Sequence, residues 1–327
     1  MRIAFWDVGL TRNGPGLLLK EIIEKDADDI AAARDHILYV APDILLIAGF
    51  DTDFDGYTAK AFADFLDAGF TYTFSTVGNV GIPSGFDLDR DGRFGEQEDA
   101  WAYGDFRGQG GLALLSKMPI MTDDVQTFTD LLWADAPQSR FPYDYFTPDE
   151  SRLHPLSSNG HWVVPIRWGD TRLDLLAFKA ATPVFDGPED RNGRRNADEI
   201  ALWRHYLDGK LSVGPSSPFV IMGNANLDPV DGEGLHGEII ALLNHKDIQD
   251  PLPASDHGAR MSNPLHHGDP RRDTADWRDP NPGNLRVDYV LPSADLSIVQ
   301  SALAWVEGDH SALFSHAMVW VDIAPLP

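Results

Sequence analysis

Twelve consecutive residues, Asp87-Leu88-Asp89-Arg90-Asp91-Gly92-Arg93-Phe94-Gly95-Glu96-Gln97-Glu98, concentrate more potential chemistry than any other stretch of the sequence. They follow the spacing D-x-D-x-D-G-x5-E of a calcium-binding loop. The carboxylates of Asp87, Asp89 and Asp91 would converge on one cation, and Gly92 permits the sharp turn. The Arg93 carbonyl adds an oxygen, and Glu98 closes the shell with two more. The preceding Gly81-Ile82-Pro83-Ser84-Gly85 cannot form an amphipathic flanking helix. The loop therefore reads as a lone structural Ca2+ site rather than a paired sensor hand. An acidic chain produces D-x-D by accident, but four carboxylates and a glycine at fixed spacing favour calcium over a solvated turn.

The elements that must position this chemistry belong to a chain of 327 residues with a formal charge of −25 and no cysteine. A disulfide framework, a thiolate metal site and a cysteine nucleophile are thereby excluded. The acidic balance disfavours non-specific nucleic-acid binding, which needs Lys and Arg to neutralise phosphates. It leaves open an enzyme that meets phosphates through a bound cation. Of the 51 acids 41 are Asp, a residue of turns and caps, so long loops are expected. Met1-Arg2 runs directly into an apolar strand pattern without a leader, and no run approaches the ~18 apolar residues of a membrane span. The cytoplasm is the default location, although a calcium loop without Cys is compatible with export.

Short apolar runs alternate with helical periodicity throughout. Strands are expected at 3–8, 43–48, 70–75, 111–116, 161–168, 171–178, 218–222, 287–291, 297–305 and 317–322. Helices are expected at 14–25, 27–39, 57–67, 189–207 and 234–244. Gly169-Asp170 reads as a hairpin turn, and 120–160 and 250–284 as irregular loops. With no internal repeat and no linker separating two compositions, the reading is one α/β domain over 1–327.

The catalytic motifs emerge when segments are taken together: Arg2-Ile3-Ala4-Phe5-Trp6-Asp7, Pro42-Asp43-Ile44-Leu45-Leu46-Ile47, Gly110-Gly111-Leu112-Ala113-Leu114-Leu115-Ser116, Ala177-Phe178-Lys179-Ala180-Ala181-Thr182-Pro183, Gly223-Asn224-Ala225-Asn226-Leu227-Asp228, Arg286-Val287-Asp288-Tyr289 and Ser315-His316. In this order they resemble the endonuclease/exonuclease/phosphatase superfamily over residues 2–322. The resemblance implies a four-layer α/β sandwich, two mixed sheets face to face with helices outside. It also implies one or two divalent cations, Mg2+ or Mn2+, at the sheet edges, with a histidine facing the scissile phosphate.

Carried over position by position, the resemblance meets repeated departures. The first-strand Asn is Asp7 here, and the metal-binding Glu falls on Gly49, with Asp51 two residues on as a displaced substitute. The strand His is Lys179, the first Asp of Gly-Asp-x-Asn is Asn224, and the Asp of the final Asp-His pair is Ser315. Asn226, Asp288 and His316 are kept. Asp7 with Asn224 exchanges a carboxylate and an amide between two positions of one site. A lysine ammonium keeps its proton at neutral pH and shuttles protons poorly, and on an apolar strand it must reach a cleft or a carboxylate such as Asp7. With Ser315 in place of Asp, His316 is expected to lack a carboxylate to orient it.

Two further clusters carry weaker signals. Arg191, Arg194 and Arg195 could clamp an anionic substrate or serve as a helix entry paired with local acids, the latter being favoured. His257, His266 and His267 lie among acids in a Pro-rich loop, and a metal site there is the less favoured reading. Two functions survive. One is a degenerate, catalytically silent family member with a structural Ca2+ loop. The other is an active phosphodiesterase or phosphatase rebuilt around Asp7, Asp51, Lys179, Asn226, Asp288 and His316. Either could meet a phosphate ester or another anionic ligand. A protein partner is not specified by the sequence.

Overall fold

The inner faces of two sheets supply the apolar layer on which everything else is mounted. In the computed structural model, which describes residues 1–211, 214–215, 218–279 and 281–325, the strands are β1 (Arg2–Leu10), β2 (Ile44–Phe50), β3 (Tyr72–Phe74), β4 (Gly111–Ser116), β5 (Gln126–Thr127), β6 (Gly160–Trp168), β7 (Thr171–Lys179), β8 (Phe219–Asn224), β9 (Ala275–Asp276), β10 (Asn284–Leu285), β11 (Asp288–Pro292), β12 (Ile298–Ala304) and β13 (Met318–Ile323). The helices are α1 (Leu17–Glu24), α2 (Asp28–Val40), α3 (Tyr57–Leu66), α4 (Pro148–Ser151), α5 (Arg191–Leu207), α6 (Gly237–Leu243) and α7 (Asp256–Arg260). One sheet runs β12-β13-β1-β2-β4-β3, the second β11-β8-β7-β6-β5, and β9 and β10 form a separate ribbon. Both large sheets mix parallel and antiparallel pairs: β1 lies parallel to β2, and β7 parallel to β8.

Side chains alternate across a strand with period two, so each buried strand feeds two cores. Ile3, Phe5, Leu46 and Leu114 of the first sheet meet Trp162, Val164, Leu175 and Met222 of the second in the central layer. The opposite face of the first sheet, with Trp6 and Ile47, packs on Leu18, Ile37 and Phe62 from α1, α2 and α3. The outer face of the second, with Leu176, Phe178 and Ile221, packs on Trp203 and Tyr206 of α5 and Ile239 of α6. This is the expected four-layer α/β sandwich. The β6–β7 hairpin turns at Gly169-Asp170 as expected, with Gly169 at φ +62.

The expected element boundaries differ from the structure mainly at helix starts. Gly14 and Pro15 lie outside α1, and α6 begins at Gly237 rather than 234. Glycine permits the left-handed entry at Gly16 that ends the preceding turn. The long 120–160 stretch is not unpacked: Trp133, Phe141, Phe146 and Leu156 form a satellite core against Leu202 of α5. Among the described residues, no helix is long and apolar enough to cross a membrane.

Candidate active site

The inward-facing series on four strands all end in polar groups at the same sheet edge. Ile3 and Phe5 lead to Asp7, Leu175 and Ala177 to Lys179, and Val220 and Met222 to Asn224, while Val290 is preceded by Asp288. Strand register brings three of them side by side: Lys179 stands opposite Asn224 in the parallel β7–β8 pair, and Asn224 opposite Asp288 in the antiparallel β8–β11 pair. His316 enters from the segment before β13, its backbone oxygen accepting the Trp6 indole N–H at 2.9 Å.

The contacts divide into two neutralised pairs. Lys179 Nζ lies 2.8 Å from Asp7 Oδ2, and Asn224 Nδ2 donates to the same oxygen at 3.1 Å. Burial would push the Asp7 carboxyl up, but Lys179, His316 and Asn224 together hold it below the ordinary aspartate range. His316 Nδ1 lies 2.7 Å from Asp288 Oδ2. Burial would depress His316, yet Asp288 and Asp7 outweigh burial and Lys179 and raise it. His316 therefore does not lack a carboxylate; Asp288 supplies one from a neighbouring strand, while Ser315 is exposed and accepts the Asp276 amide through its backbone oxygen. Asn226 sits at φ +49 in a turn closed by its N–H to Asn224 Oδ1 at 2.5 Å, and its side chain donates to the Ala180 oxygen at 2.7 Å.

Residues unmarked in the sequence hold this edge in place. Glu199, buried in α5, accepts from Ser158 N and Oγ and from Ala181 N, and Asn196 bridges the Ala181 and Ala225 oxygens. Together they fix the turns that follow β7 and β8, and so place Lys179 and Asn226. The available signal was that 196, 199, 203 and 206 share one helical face, so two polar residues continue the stripe of Trp203 and Tyr206. Thr274 Oγ1 accepts from Val287 N and Asp288 N, and Trp277 meets the His316 ring edge-on with centroids 5.3 Å apart; no spacing in the sequence points to either.

Position 49, where the resemblance places a metal-binding glutamate, has no room for a side chain. Gly49 has φ +61 at a register shift between β1 and β2, and a Cβ built there would overlap Asp7 Oδ1 and crowd Gly9 N at 2.9 Å. Asp51 does not move in to substitute. Its two oxygens accept from Gly110 N at 2.9 Å and Arg12 N at 2.8 Å, so it ties the β2 exit to neighbouring loops. For the divalent cation that the fold family implies, this edge offers no three convergent carboxylates or histidines among the described residues: an ammonium faces Asp7, and Asp288 gives one oxygen to His316 while its Oδ1 is buried without a partner among the described residues. Among the described residues, the only three carboxylates or histidines that come within reach of one cation are Asp87, Asp89 and Asp99.

That trio revises the expected loop ligands. Asp87 Oδ2 accepts Gly92 N at 3.1 Å, Asp89 Oδ1 accepts Asp91 N, and Asp91 Oδ1 accepts Arg93 N. Gly92 has φ +88 as the turn requires. Glu98, however, is exposed, and its neighbour Asp99 turns inward, held by Leu88 N at 2.7 Å and Gly95 N at 2.8 Å. A single helical turn over Gln97–Asp99 leaves Glu98 outward and turns Asp99 inward. Asp87 Oδ1 is buried without a partner among the described residues.

The arginines do not form an open clamp. Arg195 is buried and donates to the Leu156, Trp101 and Pro155 oxygens, a strut beneath α5. Arg194 lies 3.8 Å from exposed Asp144. Arg191 donates to the Leu88 oxygen at 2.8 Å and to Tyr145 Oη at 2.6 Å, tying α5 to the acidic loop. His257 stacks on Trp305, and His267 contributes its backbone N–H to Asp231, so the histidine cluster is not assembled as a metal site among the described residues.

A cleft of about 800 Å³ opens onto this edge, with Lys179 and Asn226 among its lining residues and Leu88 and Glu98 of the acidic loop on its wall. A family model described as the Endonuclease/Exonuclease/phosphatase family matches residues 18–315. The chain belongs to this family. Solved structures share the family fold over nearly all of this chain. An endonuclease/exonuclease/phosphatase from Beutenbergia cavernae DSM 12333 has 16% identity and a TM-score of 0.58, covering 99% of this chain and 71% of that one. The 3′-5′ exonuclease NExo from Neisseria meningitidis has 14% identity and a TM-score of 0.54, covering 99% of each. Sphingomyelinase C from Streptomyces griseocarneus has 14% identity and a TM-score of 0.52, covering 98% of each. Among curated proteins, none matches the chain.

Two outcomes test the geometry of this family edge. Gly49→Ala combines left-handed strain of about 1–3 kcal/mol with overpacking of about 1–3 kcal/mol, so urea unfolding should show a loss of roughly 2–6 kcal/mol; a loss near zero would mean that Asp7 has room to withdraw. The His316 ring proton should titrate by NMR above the ordinary midpoint of about 6.5, and below it in Asp288→Asn. Because the folded value is raised, the pair's stabilisation is complete below the unfolded midpoint and disappears as pH rises through the folded one. An unchanged midpoint in the variant would exclude Asp288 as its cause.

Proposed function

We propose that this family member has lost metal-assisted phosphoester hydrolysis and retains its cleft as a binding site for a phosphate ester or related anion. The observation that carries the reading is the ion pair at 2.8 Å between Lys179 and Asp7, on the face where a cation would otherwise be held. An ammonium carries charge but has no open coordination position, so it cannot bind a water and lower its pKa as a metal does. Lys179 also stands where the resemblance expects an imidazole. A positioned acid–base group contributes about 10²–10⁴-fold to rate, so losing that imidazole lowers turnover on that scale.

A structural Ca2+ in the loop 87–99 is the second part of the reading. It is supported by the D-x-D-x-D-G spacing, by the convergence of Asp87, Asp89 and Asp99, and by the buried, unpartnered Asp87 Oδ1. Hard cations of this kind take carboxylate and carbonyl oxygens. The loop wall borders the cleft, so its cation would stiffen the surface that a ligand meets.

The intact His316–Asp288 pair favours a different reading, an active enzyme with a rebuilt site. NExo is described as a 3′-5′ exonuclease and as a 3′ phosphatase, which shows what the shared fold supports elsewhere. The two readings part on hydrolysis of a bis-aryl phosphate with Mg2+, Mn2+ or Ca2+. The silent reading expects no release above background; turnover that disappears in Asp7→Ala would establish the active one.

Calcium is tested separately. At a free Ca2+ concentration a hundredfold above Kd, thermal or urea unfolding should report about 2.7 kcal/mol of added stability, removed by a chelator. Asp99→Asn should weaken Ca2+ more than Glu98→Gln, and the opposite order would return the closing ligand to Glu98.

A further inference from the structure

We infer that Lys179 is a built-in substitute for the family's cation, and that the cleft it lines receives the phosphate of an aromatic phosphate monoester without any metal. The inference rests on the silent-site reading and adds the ligand's chemistry and the group that receives it. This edge offers a divalent cation no three convergent carboxylates or histidines among the described residues. The charge that a phosphate would meet there is instead covalently part of the chain.

Three observations assign the ligand. First, the Lys179 side chain is 19% exposed and lines the cleft, while Asp7, its partner, is 8% exposed and does not line it. An ammonium has three N–H donors, and the ion pair with Asp7 occupies one direction, leaving the others for an incoming oxyanion. Second, the cleft sets Lys179 and Arg191 against Glu98 and Asp105, and Arg191 already donates to the Leu88 oxygen and Tyr145 Oη, so Lys179 is the lining cation with donor directions left for an anion. Hydrogen bonds to ionised groups are the strong ones, and a charge lining a cleft focuses the field that attracts an anion. Third, the cleft is also lined by Tyr103 and Phe185, which are 65% and 87% exposed. Two open rings in the same cleft offer stacking faces to the organic part of a ligand.

Phenyl phosphate and inorganic phosphate are the probes, titrated calorimetrically into the full chain with enough Ca2+ to saturate the loop, with and without added Mn2+. Both should bind, with the same affinity in either condition. Lys179→Met should weaken both at least about tenfold, the scale of losing a charge-assisted hydrogen bond. Because that change leaves the Asp7 charge unpaired, Asp7→Asn/Lys179→Met is the folded control; it removes the cation without stranding its partner and should bind as poorly. Phe185→Ala/Tyr103→Ala should weaken phenyl phosphate and leave inorganic phosphate unchanged. Binding that needs Mn2+, or equal binding by the folded double variant, would overturn the inference. Phenol release in the same samples is scored separately: turnover with Mn2+ contradicts the silent reading, whereas no turnover and no binding contradicts the Lys179 assignment alone.

Discussion

Two sheets packed through their apolar faces run out of apolar residues at one shared edge, and the charges that meet there have to neutralise one another. Burying an unpaired ammonium or carboxylate is costly, and removing one partner of a buried pair typically costs about 3–5 kcal/mol. Asp7 and Lys179 satisfy this constraint from opposite sheets, and Asn224 holds the shared oxygen from the side. The pairing ties β1 to β7 at the edge, so it is as much a part of the sandwich as of the site. The same arrangement takes away the open carboxylate face that a divalent cation would need.

The rest of the edge follows from this choice. With Lys179 against Asp7, a carboxylate at position 49 would have no space, and the backbone there is a left-handed glycine. Asp51 is free to serve the loops instead, joining Arg12 and Gly110. Asp288 is left to His316, and the pair keeps a protonatable group next to the ammonium. The family's fold is intact, and at its shared sheet edge Asp7 and Lys179 form an internal ion pair.

Much of this was legible in the sequence because strand chemistry repeats with period two. The apolar alternation of Ile3-Phe5 and Leu175-Ala177 fixed which face Asp7 and Lys179 had to share, and the need to pair a buried ammonium already pointed from one to the other. Loop chemistry was less legible, since it depends on contacts from distant segments. One turn of helix exchanged Glu98 for Asp99, because the amides of Leu88 and Gly95 capture the latter. Arg195 reads in the sequence as a clamp or an acid-paired helix entry but is held by three carbonyls that only the packed 101 and 155–156 segments can present. The partner of His316 was sought at its sequence neighbour, position 315, and came instead from β11, 28 residues earlier.

The central claim is that the Lys179 ammonium occupies the face of Asp7 where the family would hold a metal. A crystal soaked in Mn2+ and measured for its anomalous signal reads this directly. The account predicts no manganese peak beside Asp7 or Asp288, with Lys179 Nζ still in contact with Asp7. A manganese peak between Asp7 and Asp288, with the Lys179 side chain displaced from the carboxylate, would contradict it.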